Sequence, residues 1–330
     1  MDLLFNEFQQ LANSLFDANS RLFLGYLIGA IVCAALVFAA QSGQRTLPAL
    51  ARFLFPRKLW WHRSARLDYQ LLVINRLIRA FLWAPVVLTM VPIALAFSDL
   101  LEVCFGHIAP IAKRPDVVLF SFTLILFLLD DFTRFILHLL MHKIPFLWHY
   151  HKVHHSAEVL TPLTVYRSHP LESFLYASRM AVAQGIAVGL SYYLFGPALS
   201  MIDILGANLF IFIFNMFGSN LRHSHVKWHW GQRVEKWLIS PVQHQIHHST
   251  KPAHFDKNFG TTLAVWDRLF GSLVLSQKGQ PLRFGLGKGQ RAHRDLSDAY
   301  LGPVRDHWIS AKKAISSKRR SNRQAGSHAV

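Results

Sequence analysis

With 330 residues, 52% of them hydrophobic and only 16% charged, the chain is too apolar for an ordinary soluble domain and has a membrane-protein profile. Its formal net charge of +17 is that of basic segments flanking apolar runs, which orient a chain in a bilayer and attract anionic headgroups. Nucleic acid is not expected as a partner, because no soluble basic domain with a reading element is present.

Apolar runs long enough to cross a bilayer recur along the chain. Leu22–Ala40 carries no charge, and it starts too far in and without a basic start to be a cleaved signal peptide. Ala80–Phe97 is the second run and contains two prolines. Val117–Leu129 continues through Asp130 and Asp131 into Phe132–Met141. Ser173–Gly196 and Ala198–Gly218 read as a helical hairpin turning at Gly196-Pro197. Residues 41–79 hold eight basic side chains against one acid, and residues after Gly218 hold nineteen against six. Both segments are therefore expected on the cytoplasmic side, with the N-terminus opposite.

The expected fold is an all-α, integral multi-pass membrane protein. It has four to five transmembrane or hairpin helices and a cytoplasmic, helical, histidine-rich cap. Three regions follow: 1–116, a transmembrane region with a basic connection; 117–275, which holds most of the histidines; and 276–330, a flexible basic tail whose stretch 276–294 reads as a loose loop.

Of nineteen histidines, all but His62 and His107 lie at or after His138. "HLLMH" supplies His138 and His142; "WHYHKVHHS" supplies His151, His154 and His155; "QHQIHHS" supplies His244, His247 and His248. Spacings of three and four share one helical face, so each group aims its rings in one direction. Any one group alone reads equally well as interfacial histidines at a helix end. Eight such rings on one side of a membrane point to metal, since uncoordinated they would repel when protonated and waste polar atoms when buried. Eight nitrogens are too many for one ion, and neutral imidazole suits iron, zinc, copper or nickel. The two cysteines, Cys33 and Cys104, form no C-x-x-C or disulfide pattern. His149 and His229 fit no group, and Trp148, Trp228, Trp230 and Trp237 read as an interfacial belt. A divalent-metal transporter would carry its ligands within the spans, which are nearly free of histidine. A membrane zinc-dependent enzyme would usually keep a glutamate base in H-E-x-x-H, which is absent.

The order of the groups resembles the fatty acid hydroxylase and sterol desaturase superfamily, as do the stretches "DFTRFILHLLMH", "FLWHYHKVHHS", "YRSHPLE", "LRHSHV" and "HFDKNFGTTLAVWDRLFGSL". The likeness covers roughly residues 117–275. It implies a di-iron centre held by His138, His142, His151, His154, His155, His244, His247 and His248, with His223 as a further ligand. O2 would be co-substrate, a membrane lipid would be hydroxylated or desaturated, and the active site would face the cytoplasm. A separate reductase, ferredoxin or cytochrome would supply electrons, since no Rossmann fingerprint, haem-binding segment or iron–sulfur cysteines are visible. His225 stands where the family often has Asn. His169 reads as ligand, neighbour or structural residue. Asp131, two turns before His138, is either a helix-end charge near Arg134 or the acceptor that orients His138. Glu172 and Asp256 carry the same two readings, and Asp267 anchors the loop after the last group. The motifs do not choose a lipid.

Overall fold

The computed structural model describes residues 9–43, 46–83, 89–197, 199–204, 206–287, 289–290 and 292–327. The expectation of an all-α chain is met: among the described residues the only paired strands are the two-residue β1 (Asp203–Ile204) and β2 (Ala207–Asn208), antiparallel to each other.

The first half comprises α1 (Leu24–Gln41), α2 (Leu47–Leu54), α3 (Arg57–Trp60), α4 (Arg63–Ile78), α5 (Met90–Phe105) and α6 (Pro115–Lys143). Then come α7 (Pro145–His155), α8 (Pro170–Phe195), α9 (Leu209–Met216), α10 (Gln232–Glu235), α11 (Pro241–His247), α12 (Val265–Leu269) and α13 (Leu296–Ser327). Proline opens α6, α7, α8 and α11 in the first helical turn, where its missing N–H costs no hydrogen bond. Gly106 and Gly196 end α5 and α8 with φ of 78° and 85°, a conformation that side chains with a Cβ rarely adopt.

α5, α6 and α8 pack as a bundle, and α5 meets α8 at backbone distance. A Cβ on Gly189 would lie 2.5 Å from Ala94 O, so only glycine fits there. Val91, Leu95 and Val103 of α5, Phe120 of α6 and Met180 of α8 stay exposed on the outside. At 29 and 26 residues, α6 and α8 are about 40 Å long, enough to cross a bilayer, although α6 carries Asp130, Asp131 and Arg134 along its length. By length and composition together, α1 alone among the described helices is apolar enough to span. It runs beside the second half of the chain: Ala30, Cys33, Ala34 and Val37 form one apolar cluster with Leu221 and Val226. Residues 84–88, inside the second expected span, lie outside the described residues.

One expectation is corrected. The return arm of the 173–218 hairpin is not a spanning helix. After Gly196 the chain forms the β1–β2 turn around Gly206 (φ 80°), and α9 has only eight residues, about 12 Å. Asn208 ends the turn by accepting a hydrogen bond from Phe210 N while its amide donates to Thr123 O at 3.0 Å. The stretch 276–294, expected to be a flexible loop, is joined to the rest of the chain by hydrogen bonds. Thr250 N donates to Arg283 O (2.8 Å), and Arg167 Nη2 donates to His293 O (2.8 Å). Finally, the basic tail begins as the helix α13, because its first turns carry an apolar face. Ala299 is fully buried in a cluster with Leu67, Leu71 and Val153, and Asp306 accepts from Lys152 Nζ at 2.6 Å.

Candidate metal centre

The end of α6 carries His138 and His142, and α7 carries His151, His154 and His155. α11 and the residue that ends it carry His244, His247 and His248. α11 is fixed by reciprocal capping: Ser240 Oγ accepts from Gln243 N, and Gln243 Oε1 accepts from Ser240 N. Buried Glu235 holds this turn by accepting from Ser240 Oγ (2.8 Å) and Ser276 N (2.9 Å).

These elements bring all nine sequence-predicted histidines together in two groups. One is His138, His142, His151, His155 and His247; the other is His154, His223, His244 and His248. Within each group one ring nitrogen per residue lies within 4.8 Å of the others. His223 Nε2 lies 3.2 Å from His154 Nε2, 3.0 Å from His244 Nε2 and 3.1 Å from His248 Nε2. His142 and His155 approach through Nε2 atoms 3.1 Å apart. Both triplets are divided, each giving rings to both groups, so α7 and α11 face each other across the centre.

Four of the outward nitrogens are held, whereas Nδ1 of His244 and of His248 is buried without a partner. His138 Nδ1–H donates to Phe259 O (2.7 Å), His154 Nδ1–H to Arg167 O (3.1 Å) and His247 Nδ1–H to Lys257 O (2.8 Å). His151 Nδ1–H donates to the buried Glu172 carboxylate at 3.1 Å. Each bond fixes the tautomer and turns the Nε2 lone pair inward. The Nε2 atoms of His151 and His247 are buried without any hydrogen-bond partner, an arrangement that costs about 1–3 kcal/mol per atom unless something binds there. In the four-ring group the Nε2 atoms instead crowd one another at 3.0–3.2 Å, and neutral nitrogen lone pairs converging in this way are the donor set of a cation site.

Burial also keeps these rings neutral and able to coordinate. It pushes His151 and His154 down to about 3, and burial with neighbouring rings holds His155, His223, His244, His247 and His248 well below the usual imidazole value. A base whose pKa falls on folding supports the fold above its unfolded value of 6.5 and weakens it below, because the unfolded chain takes up protons that the folded one refuses. Metal-free protein is expected to keep full thermal stability above about pH 6.5 and to lose it progressively toward pH 3. Melting curves across that range check this; a flat profile would mean that the rings are not buried neutral.

The acidic residues divide differently from expectation. Asp131 neither pairs with Arg134 nor touches His138. Its carboxylate accepts from Thr262 N (2.9 Å), Leu263 N (3.0 Å) and Trp266 Nε1 (2.9 Å), tying α6 to the closing loop. Asp267 anchors the same loop from the other end, accepting from Phe259 N (2.9 Å) and Gly260 N (2.7 Å). The two together position Phe259 O, and through it His138. Asp256 pairs with Lys143 at 2.6 Å and lies 3.4 Å from His142 Nδ1. His169 has both nitrogens engaged, accepting from Leu171 N as the cap of α8 and meeting Tyr300 O, so it is structural. His225 bonds Phe53 O at 2.7 Å and stands apart from both groups. His229 bonds Ser276 Oγ, and His149 belongs to neither group. Trp148 is not a belt residue: its ring packs 5.0 Å from His142 and 5.5 Å from His155, between centroids. Arg167, so far only part of a motif, is fully buried and binds five residues on three segments.

A cavity of about 500 Å³ lies against the rings, lined by His138, His151, His154, His223 and His244 and by side chains from α4, α6 and α8. A helical chain that closes two histidine groups over such a cavity has an arrangement that could hold metal ions. Residues 123–272, somewhat less than half of the chain, match the fatty acid hydroxylase family, which supports the resemblance of this segment to the fatty acid hydroxylase/sterol desaturase superfamily. Alkylglycerol monooxygenase of Danio rerio is 27% identical over 151 residues, 45% of this chain and 29% of that protein. Ornithine lipid hydroxylase OlsE of Rhizobium tropici is 28% identical over 159 residues, 48% of this chain and 44% of that protein. Human cholesterol 25-hydroxylase is 29% identical over 155 residues, 44% of this chain and 48% of that protein. The matched segment thus spans less than half the length of each of these relatives. No solved structure matches the chain.

Proposed function

We propose that the protein is a membrane-embedded, O2-dependent lipid hydroxylase or desaturase. The nine converging histidines would hold two iron ions, five rings on one and four on the other, with a separate reductase supplying electrons. The observation that carries this reading is the convergence of the nine rings into two buried groups, with the Nδ1 atoms of His138, His151, His154 and His247 fixed and the Nε2 atoms of His151 and His247 left without a partner. Bound iron would supply the oxidising chemistry that an unactivated C–H bond demands of O2. The chain's own part is placement. The carbonyls and Glu172 fix the rings, Asp131 and Asp267 clamp the loop that closes over them, and the cavity gives the reacting chain a place beside the rings.

Names of the matched relatives support a lipid or sterol substrate. Exposed apolar side chains on α1, α5, α6 and α8 support insertion in a bilayer, with four helices in contact with lipid and the histidine cap on the basic, cytoplasmic face.

The test is to purify the chain in detergent, measure bound metal, and compare lipid extracts of cells with and without it. About two non-haem irons per chain and a lipid shifted by +16 or −2 mass units are expected. Zinc flux across liposomes without lipid oxidation would sink the proposal in favour of a transporter.

A further inference from the structure

The cavity beside the histidines is unusually cationic for a lipid site. Arg21, Arg76, Arg79, Arg134, Arg179 and Arg222 all contribute to its lining, while the one lining carboxylate, Glu172, is already engaged by His151. Arg134 and Arg179 share a single carboxylate, Asp130, at 3.0 and 2.9 Å. Arg21 and Arg222 spend their hydrogen bonds on neutral groups. Arg21 donates to Asn215 Oδ1 (2.5 Å) and Ser219 Oγ (2.6 Å); Arg222 donates to Thr261 O and lies over the Phe214 ring. Six guanidiniums therefore line a cavity whose single lining carboxylate is committed to His151, and Asp130 serves Arg134 and Arg179 together. The Nε atoms of Arg179 and Arg222 are buried with no acceptor. Guanidinium groups taken out of water are costly unless paired, and a planar fork matches carboxylate or phosphate oxygens best. The remaining wall includes Leu72, Val165, Ala177 and Met180, which suit an alkyl chain.

We propose that this cavity selects an amphiphile with an anionic head, a carboxylate or a phosphate ester, which Arg21 and Arg222 bind while the alkyl part lies on the apolar wall next to the histidines. The proposal rests on the oxygenase reading only for the word substrate; anion binding itself does not depend on it. A head of neutral hydroxyl or ether groups would leave the excess positive charge unmatched.

The experiment uses the full chain in micelles of a neutral detergent at pH 8, both iron-free and iron-loaded. Binding is measured by equilibrium dialysis for matched pairs: oleate against oleyl alcohol, and dioleoyl phosphatidic acid against dioleoylglycerol. At least one anionic member is expected to bind about 10-fold or more tighter than its neutral partner. The double variant Arg21→Gln/Arg222→Gln should erase that preference while binding of the neutral lipids stays within about 2-fold, and Arg21→Lys/Arg222→Lys should restore part of it. Equal binding within both pairs, or a preference that survives the glutamine double variant, overturns the proposal. Inorganic phosphate that binds as tightly as the anionic lipids also overturns it, assigning the arginines to a free anion. Because the iron-free arm reads binding alone, an anion preference without oxidation would count against the oxygenase reading and leave this one standing. Oxidation of neutral and anionic lipids alike, with equal binding, would do the reverse.

Discussion

Replacing His248 by alanine is expected to cut bound metal from about two ions to about one per chain and to lower lipid oxidation by about 1,000-fold or more. His248 Nε2 lies 3.1 Å from His223 Nε2 and 3.2 Å from His244 Nε2, and its ring stacks 4.5 Å from His155 of the other group. The four-histidine group has no carboxylate to take the place of a lost nitrogen. Three neutral donors bind a divalent iron far more weakly than four, whereas loss of a mere supporting hydrogen bond typically costs 10–100-fold in affinity. The five-histidine group should keep its ion, since none of its own rings is removed. His149→Ala is the control: it belongs to neither group, and both metal content and turnover should stay at the parent level. Metal content by mass spectrometry and product formation from the same preparation check both halves. Two irons retained in His248→Ala would show that the four-ring group is not a site.

Much of this centre is legible in the sequence because the histidine spacings are local. Rings at i, i+3 and i+4 of one short helix must share a face, whatever the rest of the chain does. Which ring joins which group is not local. His154 leaves its neighbours His151 and His155 to meet His223, His244 and His248, and that depends on how α7 opposes α11. Asp131 misleads for the same reason. Seven residues separate it from His138, yet its partners are Thr262, Leu263 and Trp266, more than 130 positions away. Hydrophobicity overstated the 198–218 segment because Gly206 and Asn208 break the helix inside an apolar run. In the C-terminal tail the charge of the last residues masked the apolar face around Ala299 that docks on Leu67, Leu71 and Val153. Arg167 could have been noticed only as an arginine just before a cap residue, and nothing in that position announces a buried ion pair.

That pair carries the largest expected effect on stability. Arg167→Ala should destabilise the fold by about 3–5 kcal/mol, the range for removing one partner of a buried salt bridge. The guanidinium is fully buried and donates to Asp68 Oδ1 (2.9 Å), Val153 O (2.9 Å), Ser64 O (3.2 Å), Ser156 Oγ (2.9 Å) and His293 O (2.8 Å). Asp68 is equally buried, and only the hydroxyl of Thr164, 2.6 Å from its other oxygen, would remain to it. Burial already pushes the Asp68 carboxyl upward against the pull of Arg167, so without the arginine it should protonate rather than stay charged. The melting temperature should fall by roughly 10 °C. Arg167→Lys would keep the charge but not five donors in a plane, and should recover only part of the loss. Asp68→Leu combined with Arg167→Met removes both charges together and should recover more, since apolar replacement of a buried pair is often neutral. Metal retention separates this effect from a ligand role. His154 donates to the backbone oxygen of residue 167, which alanine keeps, so whatever fraction of Arg167→Ala remains folded should still bind two ions. A variant that melts like the parent but loses metal would instead place the arginine at the centre itself.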